Sequence, residues 1–145
     1  MKKIVVIDGQ GGKIGRLVVE QIKASSLVCE IYAIGTNSIA TGAMLKAGAD
    51  FGATGENPVI VNCRDADVII GPIGILIADA LHGEVTANMV LAVGRSAAHK
   101  ILLPVNRCNT YIPGSQPLPP GDLVALAVAH IGEMLQFTSQ PNHAK

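Results

Sequence analysis

A glycine-rich stretch near the start of the chain, DGQGGKIGR at residues 8–16, has the composition of a phosphate-binding loop. It follows the apolar run KIVVID and precedes a helical pattern, so its amides are expected at a helix N-terminus. Unpaired N–H groups and the helix dipole attract anions there, and glycines let an anion approach the backbone. The residues predicted to contact a nucleotide here are Gly9, Gln10, Gly11, Gly12, Lys13, Ile14 and Gly15.

The spacing of these glycines fits two versions of a dinucleotide-binding loop. In the pattern G-x-G-x-x-G, Gly9 and Gly11 take the first two positions, but the third falls on Ile14. Gly9, Gly12 and Gly15 fit the more widely spaced pattern G-x-x-G-x-x-G. A glycine turn that holds no ligand is a third interpretation, and all three stay open at this point.

The loop differs from the phosphate loop of nucleoside triphosphatases. That loop requires G-x-x-x-x-G-K-[ST], but Arg16 and Leu17 follow Gly15 where the lysine and hydroxyl belong. Residues 9–15 instead resemble the cofactor loops of dihydrodipicolinate reductase and prephenate dehydrogenase, in which G-x-x-G-(R/K)-(M/I)-G follows the first strand. This resemblance implies a cofactor of the NAD or NADP type.

Two features differ from an ordinary NAD site. Asp8 stands directly before Gly9, where its charge opposes a pyrophosphate unless the carboxylate points away or accepts hydrogen bonds from the loop amides. The second predicted strand, EIYAIG, should be followed by an acid that binds the ribose hydroxyls, but Thr36 and Asn37 follow it. These two side chains are predicted to contact a ribose or a 2′-phosphate, and a plain turn is the alternative.

Two further stretches follow predicted strands, at the edge where open α/β sheets bind ligands. In VNRCN, Asn106 is a predicted site residue, whereas Cys108 beside Arg107 is expected to be an inert thiol. In the stretch GPIG, a ligand contact and a tight turn are equally favoured, and the predicted site residues are Gly71, Pro72, Ile73 and Gly74.

No catalytic residue is assigned from the sequence. Glu56 is the one acid in a glycine-rich loop that lies within reach of the expected cleft, and Asn57 beside it is expected to cap a helix. The histidines lack the spacing of metal ligands, so no metal site is predicted.

Apolar runs alternate with helical patterns along the chain. Strands are expected at KIVVID, EIYAIG, DVIIGP and KILLPV, with a weaker candidate at residues 50–53. Helices are expected at KIGRLVVEQIKAS, TGAMLKAGA, ENPVIVNCRDA, ILIADALHG, ANMVLAVGRSA (capped by Thr86) and residues 122–137. This alternation predicts one Rossmann-like α/β domain over residues 1–137, a doubly wound and mainly parallel sheet with helices on both faces. A flexible tail is expected at residues 138–145.

The composition excludes several classes of function. The 145 residues are 49% hydrophobic and carry a net charge of +0, with 3% aromatic residues, which does not suit a nucleic-acid surface. The most apolar run, residues 68–78, is too short to span a membrane. Neither a signal peptide nor a C-x-x-C pair is found, so a cytoplasmic protein with reduced thiols is expected.

Five stretches together resemble a family of small bacterial proteins, common among anaerobic Firmicutes, that is catalogued as a domain of unknown function. They are IDGQGGKIG, GTNSIATGAMLKAGA, GATGEN, DVIIGPIGI and ILLPVNRCN, and the resemblance covers residues 1–112. It implies a cytoplasmic Rossmann-like domain and supplies no activity.

The first functional hypothesis is a nucleotide- or dinucleotide-binding protein of the NAD(P) type, possessing a site shared between subunits of a homo-oligomer if it is an oxidoreductase. The second is a non-enzymatic module that senses a nucleotide or binds a protein partner. The third is a small transferase or hydrolase that acts at the strand ends through Glu56 or Cys108. Whether the chain is an enzyme stays open among them.

Overall fold

A computed structural model of the chain describes residues 1–105 and 109–139. Strands and helices alternate through this part of the chain, as the sequence predicts. The strands are β1 Lys2–Asp8, β2 Cys29–Gly35, β3 Phe51–Thr54, β4 Val68–Pro72 and β5 His99–Leu103. The helices are α1 Lys13–Ala24, α2 Ser38–Lys46, α3 Glu56–Cys63, α4 Ala87–Arg95 and α5 Pro120–Ser139.

All strand pairs in the sheet are parallel, in the order β3-β2-β1-β4-β5. The chain moves outward from β1 to β3, returns to the centre, and continues from β4 to β5 on the other side. β1 and β4 therefore flank the point where the direction of winding reverses. This is the strand order of a Rossmann-like fold, and it confirms the predicted fold class.

The central strands β1, from Ile4 onward, and β4 are buried on both faces, as a sheet covered by helices requires, whereas the edge strand β3 is largely exposed. Along β1, Ile4 and Val6 join one apolar cluster, and Val5 and Ile7 join the other. The first cluster packs against α1, α2 and α5, and the second packs against α3 and α4. The two-residue periodicity of β1 thus fills two cores at once.

The prediction of a helix at ILIADALHG is wrong. Ile73–Leu76 forms one 3₁₀ turn, and turns continue to residue 84. The amide of Asp79 donates to the carbonyl of Val85 over 2.7 Å, which folds this part of the chain back on itself. Asp79 and Leu81 also adopt left-handed backbone conformations, with φ of 66° and 55°, that a helix does not contain.

Several predicted boundaries also shift. Asn57 is not an N-cap, because α3 already begins at Glu56. A third strand does form, one residue later than expected. Helix α5 extends through Ser139, two residues into the predicted tail, and residues 140–145 lie outside the described part of the chain.

Helix α5 covers the sheet with one face and leaves part of its apolar surface exposed. Ala127 and Ile131 are buried, whereas Leu126 is 61% exposed in the single chain. No helix within the described residues is long and apolar enough to cross a membrane.

Candidate functional site

The glycine-rich loop lies at the carboxyl edge of the sheet, where the winding reverses. Residues 9–12 connect the end of β1 to the start of α1, and Gly12 ends the loop as the N-cap of α1 with φ of 72°. The turn is closed by a hydrogen bond of 2.9 Å from the amide of Gly12 to the carbonyl of Gly9. In open α/β sheets this crevice is the usual position of a bound ligand.

The four glycines of this stretch have different surroundings. A Cβ atom on Gly9 would lie 2.5 Å from the hydroxyl of Thr36, and one on Gly12 would lie 2.8 Å from Cα of Ala40. A Cβ atom on Gly15 would clash with the side chain of Met44. Three of the glycines therefore allow close packing within the protein.

Gly11 faces open space, because a Cβ atom there would meet nothing within 4 Å. This backbone is the part of the loop that a ligand can approach without displacing protein atoms. Gly9 and Gly11 fit the first two positions of G-x-G, and Gly15 lets α1 pack closely on Met44 of α2 and on Asp8 at the end of β1.

The carboxylate of Asp8 binds amides of the glycine-rich loop from the buried side. Asp8 is only 4% exposed, and it accepts hydrogen bonds from the amides of Gly9 (2.8 Å) and Gly15 (2.7 Å). Burial raises the pKa of this carboxyl, and the bonds from the two amides oppose that rise. The sequence left open whether Asp8 points away from the loop or accepts hydrogen bonds from the loop amides. The structure shows that it accepts these hydrogen bonds.

Two amides near the start of α1 are still available to an anion. Within residues 1–105 and 109–139, the amides of Gly11 and Lys13 donate no hydrogen bond to protein. Both residues are exposed. The stretch has two cations, Lys13 and Arg16. Nη1 of Arg16 lies 3.7 Å from Oε1 of Glu20, one turn further along α1.

Residues 77–86, which we call the cover segment, lie over the start of the glycine-rich loop. A Cβ atom on Gly9 would be 2.8 Å from Leu81 and 3.2 Å from Glu84. Left-handed backbone occurs at Gln10 in the loop and at Asp79, Leu81 and His82 in the cover segment. Such conformations are costly for residues with a side chain and often occur near functional sites.

Glu84 joins the cover segment to the loop and to the end of β2. Its Oε1 accepts hydrogen bonds from the amide of Gln10 (3.0 Å), the hydroxyl of Thr36 (2.8 Å) and Nδ2 of Asn37 (2.5 Å). Partial burial acts to raise the pKa of Glu84, but these hydrogen bonds outweigh it, and the pKa lies below its ordinary value. No local sequence signal identifies Glu84, since its partners lie 47 to 74 residues earlier in the chain.

Thr36 and Asn37 lie beside the loop as the sequence predicts, but their side chains already have protein partners. Asn37 is the N-cap of α2, where its Oδ1 accepts from the amide of Ala40 over 2.9 Å. Its Nδ2 also donates to the carbonyl of Gln10 over 2.9 Å. Asn37 therefore connects three parts of the site and holds Glu84 in place.

The predicted site residues in GPIG lie under the cover segment. Pro72 and Gly74 are buried, Ile73 is half-buried, and a Cβ atom on Gly74 would be 3.4 Å from Ala80. At Gly71, a Cβ atom would clash with the carbonyl of Ile7, so this glycine allows β1 and β4 to pair closely. Gly71 therefore has a structural reason to be a glycine, which favours the tight-turn interpretation there, whereas a Cβ atom on Gly74 would make only an ordinary contact.

Other candidate residues have structural partners or lie outside the described part of the chain. Glu56 accepts a hydrogen bond of 2.6 Å from the hydroxyl of Thr86, which ties the start of α3 to the start of α4. Cys63 is buried, and burial raises the pKa of its thiol to about 11. Asn106, Arg107 and Cys108 lie outside the described residues.

Three histidines lie in the described part of the chain, and His130 is on α5. His82 lies in the cover segment and not on a helix, and Nε2 of His99 lies 3.0 Å from Nε2 of His130. Among the described residues, no group of three or more His, Cys, Asp and Glu side chains has the arrangement of a metal site.

Two cavities lie away from the glycine-rich loop. One of about 730 Å³ lies at the amino edge of the sheet, between the start of β1 and helix α5. Another of about 530 Å³ lies between α3 and α4 and is lined in part by Arg64 and Arg95.

The strand order and the loop at the winding reversal define a Rossmann-like α/β protein. The chain belongs to the family described as "Domain of unknown function (DUF3842)", whose model matches residues 3–136. This confirms the resemblance to a domain of unknown function.

No curated protein matches the chain. A similar solved structure is the crystal structure of a dodecameric FMN-dependent UbiX-like decarboxylase from Escherichia coli O157:H7. It is 18% identical with a TM-score of 0.44, and the match covers 100% of this chain and 98% of that chain.

Proposed function

We propose that this protein binds a nucleotide or dinucleotide of the NAD(P) type at the glycine-rich loop. The observation that carries the proposal is the position of Gly11, an open backbone at the start of α1 where the winding of the sheet reverses. The free amides of Gly11 and Lys13, within the described residues, would donate to a phosphate.

The rest of the predicted site takes supporting roles in this proposal. Gly9, Gly12 and Gly15 shape the loop by packing against the protein, and Asp8 holds the amides that the phosphate does not use. Asn106 and the GPIG residues stay predictions as ligand contacts. A homo-oligomer whose subunits complete the site is part of the same proposal, as is hydride transfer.

The test is a thermal-shift and calorimetric comparison of the Gly11→Asp and Gly11→Asn variants with the wild type. The two substitutions have the same shape, and Gly11 has room for either, so they differ in a charge placed beside the loop amides. The ligands are NAD, NADP, their reduced forms, FAD, ATP, GTP and coenzyme A. A ligand at about one hundred times its Kd should stabilise the wild type by roughly 2.7 kcal/mol.

We expect Gly11→Asp to abolish this stabilisation, and Gly11→Asn, which adds similar bulk but no charge, to reduce it by less. Gly12→Asp is a poor variant for this purpose, because its backbone is left-handed and its Cβ atom would lie 2.8 Å from Ala40. Binding of wild-type strength by both the Asp and Asn variants would place the ligand elsewhere, and no binding of any compound by the wild type would make the loop structural.

A further inference from the structure

We infer that Glu84 is the carboxylate that accepts the ribose hydroxyls of the nucleotide, so that the site takes a free 2′-hydroxyl and rejects a 2′-phosphate. This inference rests on the proposed function. It narrows the ligand class from NAD(P) to nucleotides of the NAD and ADP type, and it assigns the selection to one residue of the cover segment.

An NAD site of this fold usually has a carboxylate near the end of the second strand. The acid there binds the ribose, close to the first glycines of the loop. Here β2 ends at Gly35, and the following residues, Thr36 and Asn37, carry no charge. The segment that follows β2 therefore has no acid, and the fold brings Glu84 to this position instead.

Three hydrogen bonds hold Glu84 between the glycine-rich loop and the end of β2. Its Oε1 is bonded to the amide of Gln10, which directly follows the first glycine of the loop. The same atom is bonded to Thr36 and Asn37, the two residues that directly follow β2. A carboxylate held between these two features lies where an acid of β2 itself would act.

Glu84 also has an acceptor left for a ligand. All three hydrogen bonds converge on Oε1, and among the described residues no donor reaches Oε2. An ionised carboxylate only accepts hydrogen bonds, so its free oxygen suits the O–H groups of a ribose. Thr36 and Asn37 fix its orientation in advance, which lowers the entropic cost of binding.

The phosphate and the ribose would bind side by side. Gln10, which contacts Glu84, and Gly11, which offers a free amide, are consecutive residues about 3.8 Å apart at their Cα atoms. This separation suits the ribose and phosphate of one nucleotide. A 2′-phosphate, with a charge of about −1.5 to −2, would be placed against the carboxylate and repelled.

The decisive experiment is a calorimetric titration of wild type and Glu84→Gln with four ligands: ADP, 2′-deoxy-ADP, NAD and NADP. We expect the wild type to bind 2′-deoxy-ADP roughly tenfold more weakly than ADP, because a hydrogen bond to a charged acceptor is lost. It should bind NADP at least tenfold more weakly than NAD. In Glu84→Gln both ratios should move toward one.

Glu30→Gln serves as the control, because Glu30 lies near the opposite end of β2 and should leave both ratios unchanged. The wild-type comparison of ADP with 2′-deoxy-ADP tests the inference without any variant. Equal affinities there, with binding itself intact, would overturn the role of Glu84 and leave the proposed function standing.

Two other outcomes also overturn the inference. If Glu84→Gln binds ADP, NAD and NADP all more tightly than the wild type does, then Glu84 competes with the ligand for the loop amide and does not receive it. If the wild type binds none of the four ligands, the proposed function fails together with the inference.

Discussion

At the scale of single residues, Asp8 shows how an acid is accommodated at the start of the glycine-rich loop. The carboxylate is nearly fully buried, which is costly for a charge, but two loop amides donate to it over 2.7–2.8 Å. The same bonds satisfy amides that the loop would otherwise leave buried without a partner. Asp8 is therefore a structural carboxyl group at the start of the predicted phosphate site.

Replacing Asp8 with alanine should destabilise the protein by about 1–3 kcal/mol, the cost of leaving buried amides unsatisfied. The measurement is urea unfolding at pH 7, with Glu20→Ala as the control. Glu20 is a partly exposed acid on α1 whose contact with Arg16 spans 3.7 Å, so its loss should change stability by less than about 0.5 kcal/mol. Equal effects of the two variants would contradict this role for Asp8.

Glu84 should make stability depend on pH in a defined direction. Its pKa is lower in the folded protein than the ordinary value of 4.5, so the folded state favours the ionised form. The resulting stabilisation is fully present above pH 4.5 and is lost as the pH falls through the lowered pKa.

The stability difference between wild type and Glu84→Gln should therefore shrink as the pH falls below 4.5, measured by urea unfolding from pH 7 to pH 3. A difference that stays constant over this range would show that the ionised form of Glu84 is not favoured by folding.

At the scale of elements, α4 begins with a cap that also contacts α3. The hydroxyl of Thr86 accepts from the amide of Met89 over 3.2 Å and donates to Glu56 over 2.6 Å. The cover segment ends at this cap, so Thr86 fixes where the chain that carries Glu84, two residues earlier, enters α4. The sequence predicts the cap from a threonine before a helical pattern but not the contact with Glu56.

Thr86→Ala should cost about 0.5–2 kcal/mol in stability, because the cap is lost. Thr86→Ser keeps the hydroxyl and should stay close to the wild type. The readout is thermal or urea unfolding of the three proteins. If serine is as destabilising as alanine, packing of the threonine methyl group, and not the hydrogen bonds, explains the effect.

At the scale of the whole molecule, α5 closes the core on one face of the sheet. Ile131 is fully buried against the first apolar cluster, which contains residues of α1, β1 and β4. Leu126 lies on the same helix and is 61% exposed. Variants of Ile131 and Leu126 can therefore distinguish the role of α5 in the folding of the monomer from a role in assembly.

Ile131→Ala should cost about 2–5 kcal/mol, because it leaves a cavity in the core. Leu126→Ala should change the stability of the isolated chain by less than about 0.5 kcal/mol. Both are measured by chemical unfolding, with sedimentation for the oligomeric state. A large, concentration-dependent loss in Leu126→Ala would instead place this residue at an interface of the proposed homo-oligomer.

Local composition and periodicity were enough to predict the class of fold and the position of the loop. Strands β1 and β4 each contain a continuous apolar run and alternate with helical patterns, so a parallel sheet covered on both faces follows from local composition. The loop after β1 and the cap at Thr86 are also visible locally, because each depends on residues within a few positions.

Which residues meet at the candidate site depends on contacts between segments that are distant in the chain. Glu84 reaches Gln10 across 74 residues, and its position depends on a cover segment whose left-handed backbone no periodicity predicts. Likewise, Gly9, Gly11 and Gly12 are equivalent in the sequence, yet Gly11 alone among the three faces open space. Such contacts are set by how distant segments pack, and the strand and helix patterns carry no information about them.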